Sequence, residues 1–171
     1  NLWLSLLSTG ALGVWDRKTD TIRYWDVPIA RSRPYGIIVD HDDKVWFAGY
    51  HNSGVDRFDP VTQEFRHFQL TDEAPTNIRR PAVDSHNIIW AATWGSAGQT
   101  NGALYRLDPK TAVVERYPIP IPYTNPYSVG VDERDAVWLA TDNYLLLFDP
   151  ASKRFTYYPL PTRTDIPKMT I

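Results

Sequence analysis

The sequence predicts an all-β protein, a β-propeller of four-stranded antiparallel blades, with about four blades in its 171 residues. Three observations carry that prediction. An apolar step centred on Trp recurs as Leu2-Trp3-Leu4-Ser5, Val45-Trp46-Phe47-Ala48, Ile89-Trp90-Ala91-Ala92 and Val137-Trp138-Leu139-Ala140, with the tryptophans 43, 44 and 48 residues apart. That period belongs to propeller blades and similar arrays. Each step is flanked by short β-branched or alternating runs bounded by turn residues, which is strand patterning. The 14 prolines leave little room for helices of any length.

The second repeat shows the order of elements most clearly. Pro34-Tyr35-Gly36-Ile37-Ile38-Val39 is a buried strand rich in β-branched residues. Asp40-His41-Asp42-Asp43 is a tight polar turn of Asx type. Residues 44–49 form the Trp strand, and after a loop at His51-Asn52-Ser53 the alternating segment Gly54-Val55-Asp56-Arg57-Phe58 is a half-buried third strand. Asp59-Pro60-Val61-Thr62-Gln63 turns the chain, with Pro fixing φ. The more polar stretch 64–70 suits an outer edge.

The other repeats follow the same order. Strands three and four are 12–16 and 22–25 in the first repeat, 103–107 and 113–117 in the third, and 145–148 and 154–158 in the fourth. The connections, such as Pro118-Ile119-Pro120-Ile121-Pro122, read as extended crossovers from an outer strand to the next inner one. The repeats span 1–33, 34–76, 77–124 and 125–165, and 166–171 reads as strand one of a further blade, all within one domain. Such meanders cannot bury their faces alone and must stack. Radial stacking gives a propeller. A linear solenoid, the rival, generally has shorter repeats.

Because the chain opens on strand two and closes on strand one, two arrangements stand open. It is a piece of a larger ring, or a closed four-bladed ring with 168–171 beside Trp3. The absence of an Asp turn and Trp strand after Ile171 favours the larger ring.

Composition narrows the function classes. Net charge is −2, with acids and bases interspersed, so neither a nucleic-acid footprint nor an electrostatically bound membrane surface is indicated. No apolar run approaches 18 residues, no signal peptide is recognisable at Asn1, and membrane insertion is not expected. Cysteine is absent, which excludes disulfides, thiolate metal sites and cysteine nucleophiles. The compartment stays undetermined, with periplasm or secretion ahead of cytoplasm. No phosphate loop, nucleophile elbow or zinc motif is present, and no cofactor or metal is expected.

The repeat unit Pro-Tyr-Gly-Ile…Val-Asp…Val-Trp-Phe…Asp-Pro…Phe…Leu resembles that of virginiamycin B lyase (streptogramin lyase) and its relatives. Arg33-Pro34-Tyr35-Gly36-Ile37 and Asn125-Pro126-Tyr127-Ser128-Val129 match the start of that repeat, and Tyr158-Pro159-Leu160-Pro161-Thr162 its end. The likeness covers the whole chain at repeat level and is shared with NHL-type and sensor-type propellers. It implies a seven-bladed type of ring, of which four blades are just over half. It also implies a ligand site at the mouth of the central channel, lined by the first residues of each strand one.

Those positions here are Tyr35, Arg79, Tyr127 and Lys168, with Arg79 in the degenerate segment Asn77-Ile78-Arg79-Arg80-Pro81. The residues three beyond each Trp are Leu6, Gly49, Thr93 and Thr141. His51, beside Tyr50, and Trp94, which opens a longer loop at 94–101, are expected on the same face. In the lyases the resemblance associates catalysis with histidines at the first set and acids nearby, as an elimination requires. Here the first set holds Tyr and basic residues and the second holds no Glu, so lyase chemistry is not expected from this chain.

Two tyrosines with Arg79, Arg80 and Lys168 suit an anionic or aromatic ligand, held by charge-assisted hydrogen bonds and stacking. The alternative is that they only solvate the channel. The expected role is thus a binding or interaction scaffold for a small molecule or protein at the channel, associating with further blades or other subunits. The alternatives are a carbon–oxygen lyase whose catalytic blades lie outside this chain, and a structural subunit of a larger assembly. His41 and His86 belong to turns on the opposite face and His67 to an outer strand. The acidic turns 40–43 and 132–135 have oxygens that calcium accepts, but turn formation already accounts for them.

Overall fold

The computed structural model describes residues 1–72, 76–94, 102–164, 168, 169 and 171, which form strands and turns and no helix. The first sheet has three strands in the order β1 (Leu2–Leu6), β2 (Ala11–Asp16) and β3 (Thr21–Asp26). The second is the meander β4 (Pro34–Val39), β5 (Val45–Gly49), β6 (Gly54–Phe58) and β7 (Phe65–Gln69).

In the third, strand one is split into β8 (Asn77–Ile78) and β9 (Ala82–Val83). Both pair with β10 (Ile89–Trp94), which is followed by β11 (Ala103–Leu107) and β12 (Val114–Pro118). The fourth is β13 (Ser128–Val131), β14 (Val137–Ala140), β15 (Tyr144–Asp149) and β16 (Arg154–Pro159). All ladders are antiparallel, and these are the blades of a β-propeller.

Successive side chains of a strand point to opposite faces, and the Trp strands use this to build the cores between blades. Val45 and Phe47 face the first blade with Leu12, Phe58, Trp3 and Trp25. Trp46 and Ala48 face the third blade with Ile78, Ile89, Ala91 and Tyr105. Trp90 and Ala92 in turn face the fourth blade with Val137, Leu139, Leu146 and Phe148. Each Trp therefore packs on the next blade along the chain. Trp138 has no described next blade. It stays partly exposed and stacks on Tyr158 of its own sheet, ring centroids 5.9 Å apart.

The aspartate of the first turn is tied to that Trp. Asp40 Oδ1 accepts the N–H groups of Asp42 and Lys44 at 2.9 and 2.8 Å, while its Oδ2 accepts Trp46 Nε1–H at 2.8 Å. Asp84 binds His86, Ile88 and Trp90 in the same way, and Asp132 binds Arg134, Ala136 and Trp138. The bond from Trp138 holds the Asp132 carboxyl below the usual carboxylate range. Asp43, Asn87 and Asp135, three residues after each Asp, take left-handed φ of 58°, 63° and 59°, a region that Asn and Asp tolerate best. An Asp six residues before each Trp is thus a clamp, where the sequence showed only a turn.

The expected strand at 166–171 does not form among its described residues: Lys168, Met169 and Ile171 belong to no ladder. They run instead along β13, where Gly130 makes room. A Cβ at Gly130 would lie 2.6 Å from Ile171 Cδ1 and 3.6 Å from Met169 Cε. Trp3 has Trp25 and Phe58 as its ring neighbours, and among the described residues β1 pairs with β2 alone.

Candidate functional site

The site is built by two β-bulges and a hub arginine. In β4, Pro34 is opposite Gly49 and Ile37 opposite Phe47, so Tyr35 and Gly36 together face the single residue Ala48. In the third blade, Ile78 is opposite Thr93 and Ala82 opposite Trp90, leaving 79–81 against the two residues Ala91 and Ala92. A bulge of this kind re-aims side chains and turns the local backbone.

The turned backbones meet across blades. Gly36 N–H donates to Arg79 O at 2.9 Å, and Val129 N–H donates to Arg80 O at 3.1 Å. Gly36 must be glycine here, because a Cβ would lie 2.3 Å from Arg79 O and 2.6 Å from Arg80 Cα.

This arrangement brings Tyr35, Arg79, Tyr127 and Trp94 together. The Arg79 guanidinium carbon lies 4.2 Å from the Trp94 ring centre, 4.3 Å from Tyr127, 5.3 Å from Tyr50 and 6.0 Å from Tyr35. The hydroxyls of Tyr35 and Tyr127, 92 residues apart, share a hydrogen bond of 2.6 Å. That bond, with burial, holds the Tyr127 phenol above its ordinary pKa against the pull of the Arg79 charge. Trp94 meets Tyr127 edge-on at 5.4 Å, and His51 meets Tyr50 edge-on at 4.6 Å. Three blades thus contribute rings around one cation. No carboxylate among the described residues pairs with Arg79.

Lys168 is not brought into this cluster. It is exposed, lining a groove along the inner strands with Arg80 and Met169, because its segment is drawn to the Gly130 gap. The Arg80 guanidinium also lies over Tyr35, 5.4 Å from the ring centre. The loop after Trp94 lies outside the described residues.

The positions three beyond each Trp prove architectural. Thr93 and Thr141 are buried, and their hydroxyls accept the N–H groups of Ala103 and Tyr144 at 3.1 and 2.9 Å. Gly49 makes space for Asn52, whose amide donates to Asp56.

Tyr50 was not singled out from sequence, although it immediately follows the Trp strand of its blade. A second polar centre was also missed. Asp56, fully buried, accepts from Ser32 Oγ at 2.6 Å and lies 2.6 Å from His67 Nδ1. His67 Nε2 faces Gln69 Oε1 at 2.8 Å, and the Gln69 amide nitrogen is itself committed to Thr71 O. Both His67 nitrogens therefore face acceptors. The Asp56 bond, opposed by burial and aided by Gln69, raises the His67 pKa. The alternation Asp56…His67 across β6 and β7 was the available signal.

His41 and His86 lie on the opposite face. His41 Nε2 is 3.0 Å from Asp84 O, and His86 Nδ1 is 3.3 Å from Asp135 Oδ2, so both join turns of neighbouring blades. Among the described residues no group of three or more His, Cys, Asp or Glu is placed to hold a metal ion. No described helix is long and apolar enough to cross a membrane.

The four meanders packed Trp face to neighbour define a β-propeller. In particular, the fold is similar to that of virginiamycin B lyase. The chain superposes on a catalytically inactive histidine-to-alanine variant of the Staphylococcus aureus enzyme with quinupristin, with a TM-score of 0.80 and 20% identity over 94% of this chain and 52% of that one. A streptogramin B lyase structure gives a TM-score of 0.80 and 18% identity over 94% and 51%. An extracellular domain assigned to a hybrid two component system of B. thetaiotaomicron gives 0.74 and 18% over 98% and 22%. The chain thus spans about half the length of the two lyases. Neither a protein-family model nor a curated protein matches the sequence.

Proposed function

We propose that the chain is a ligand-binding propeller scaffold whose mouth takes a small molecule carrying an anionic group and a flat ring. The observation that carries this reading is Arg79, a cation walled by four rings and given no acceptor for its buried Nε among the described residues. The other buried side-chain polar atoms found without partners are Thr76 Oγ1, Arg80 Nε, Thr124 Oγ1 and Asp142 Oδ1. Thr76 and Thr124 lie in the segments that enter strand one of the third and fourth blades, Arg80 in the bulge of β8 and β9, and Asp142 just after β14. Folded proteins rarely leave such groups unpaired, and the unpaired Nε of Arg79 supports a site that a ligand completes. Binding is favoured over elimination because His51, the histidine nearest the rings, lies edge-on to Tyr50 and has no described carboxylate to serve as a base pair. The lyase activity named for two neighbours is therefore not carried over. Export fits this reading, since extracellular domains are among the structural neighbours.

Phenylacetate, with 2-phenylethanol as its uncharged counterpart, tests the reading by titration against the indole Nε1–H resonances. Phenylacetate should bind with a salt-sensitive Kd at least tenfold below that of the alcohol. Arg79→Gln should weaken it about 10- to 100-fold, as loss of a charge-assisted hydrogen bond does. Equal binding of acid and alcohol, or no effect of Arg79→Gln in a folded variant, overturns the assignment.

A further inference from the structure

Trp94 also lines a cavity of about 320 Å³ with Asn125, Asp142, Arg163 and Thr164. The Asp142 side chain is 7% exposed. Its Oδ2 accepts Arg163 Nη2–H at 3.0 Å, whereas Oδ1 is buried with no donor among the described residues. Arg163, its side chain 75% exposed, pairs with this carboxylate through Oδ2. A buried carboxylate oxygen without a donor is costly unless something supplies one. The backbone around Asp142 is fixed from both sides: Thr164 N–H donates to its carbonyl at 2.8 Å, and Thr141 Oγ1 caps the adjoining turn.

We propose that this cavity is an ammonium subsite, in which Asp142 Oδ1 accepts an N–H of a primary alkylammonium group while the Trp94 ring flanks the cation. Carboxylate and indole together are the pairing that holds organic cations: one ion pair, one π face. Trp94 then adjoins two poles, Arg79 for an anion and Asp142 for a cation. The inference deepens the mouth reading, because a ligand spanning both poles is zwitterionic or an amine-bearing acid. It still stands on its own observation, the unpartnered Oδ1.

The experiment uses the 171-residue chain, n-butylammonium and 1-butanol, followed at the Trp94 indole Nε1–H resonance, itself assigned by its loss in Trp94→Phe. Butylammonium is expected to shift that resonance saturably and with salt sensitivity, and 1-butanol at least tenfold more weakly. Asp142→Asn, nearly isosteric, should abolish the difference between the two probes. Equal shifts by amine and alcohol show apolar filling only and overturn the subsite. So does an absence of shift with the amine, or an undiminished amine response in Asp142→Asn. If that variant does not fold, the amine-against-alcohol comparison on the unaltered chain still decides. Phenylacetate binding without amine binding sinks this subsite alone, and the reverse sinks the Arg79 reading alone.

Discussion

Replacing Asp84 by Asn tests the Asp–Trp clamp on which the blades depend. Asp84 is 7% exposed and Trp90 is 1% exposed. Asp84 Oδ2 accepts the indole N–H at 2.9 Å, and Oδ1 accepts the N–H groups of His86 and Ile88, both at 2.9 Å. An Asn amide presents one oxygen and one NH2. If the oxygen keeps the two backbone donors, the NH2 faces the indole N–H, donor against donor. If it flips, the two backbone donors lose their acceptor.

Either way at least one buried donor goes unpaired and a hydrogen bond to a charged group is lost, so Asp84→Asn should cost about 2–3 kcal/mol. Trp90→Phe removes the same bond and part of the contact with Tyr117 and Phe148, costing about 2–4 kcal/mol. In the double variant the donor conflict disappears, and the two costs should fall short of additivity by about 1.5–3 kcal/mol. Urea unfolding of the four chains, followed by circular dichroism, measures this coupling. The same cycle at Asp132 and Trp138, where Trp138 is partly exposed and water can replace the bond, should give a smaller value. A coupling under about 0.5 kcal/mol at Asp84–Trp90 is within ordinary additivity, and it would show that the turn stands without the clamp.

Three further outcomes are expected. Gly36→Ala places a Cβ 2.3 Å from the Arg79 carbonyl oxygen, a backbone atom that cannot yield cheaply, and should destabilise by about 1–3 kcal/mol. Gly130→Ala meets the flexible end of Ile171, so its urea midpoint should move less. His67 has a folded-state pKa above its ordinary 6.5. Its contribution should be fully present below about pH 6.5 and be lost as pH rises through the raised value. Midpoints from pH 5.5 to 8.5 should show that loss and His67→Gln should flatten it, whereas an equal slope in the variant assigns the effect elsewhere. The Tyr117 hydroxyl, partly buried and donating to Glu115 at 2.7 Å, is pushed up to about 12. Ultraviolet titration should show a late-ionising phenol that Tyr117→Phe deletes, and its persistence in that variant refutes the assignment.

The blades were legible in the sequence because each is a local meander. Strand, turn and strand lie within one repeat, so the alternation in 54–58 and the Asp-Pro turns suffice to place them. The observed strands β4 to β7 follow the expected segments within a residue or so at each end. The mouth was legible only by position. Counting from the repeat proline picked out Tyr35, Arg79 and Tyr127, which the structure gathers, and equally picked out Lys168, which it does not. Position in a repeat assumes that every strand one has the same bulge and neighbours, and at 168–171 the gap beside Gly130 takes the chain elsewhere.

The period of the tryptophans by itself determined the class of fold, since a blade's pattern depends on neighbours a few residues away. Which side chains meet depended on stacking between blades. Tyr35 reaches Tyr127 across 92 residues, Arg79 sits among rings from three blades, and Asp142 Oδ1 is left without a donor. These are contacts between repeats, set by backbone bulges and by the angle at which one sheet lies on the next. No periodicity within a single repeat encodes them.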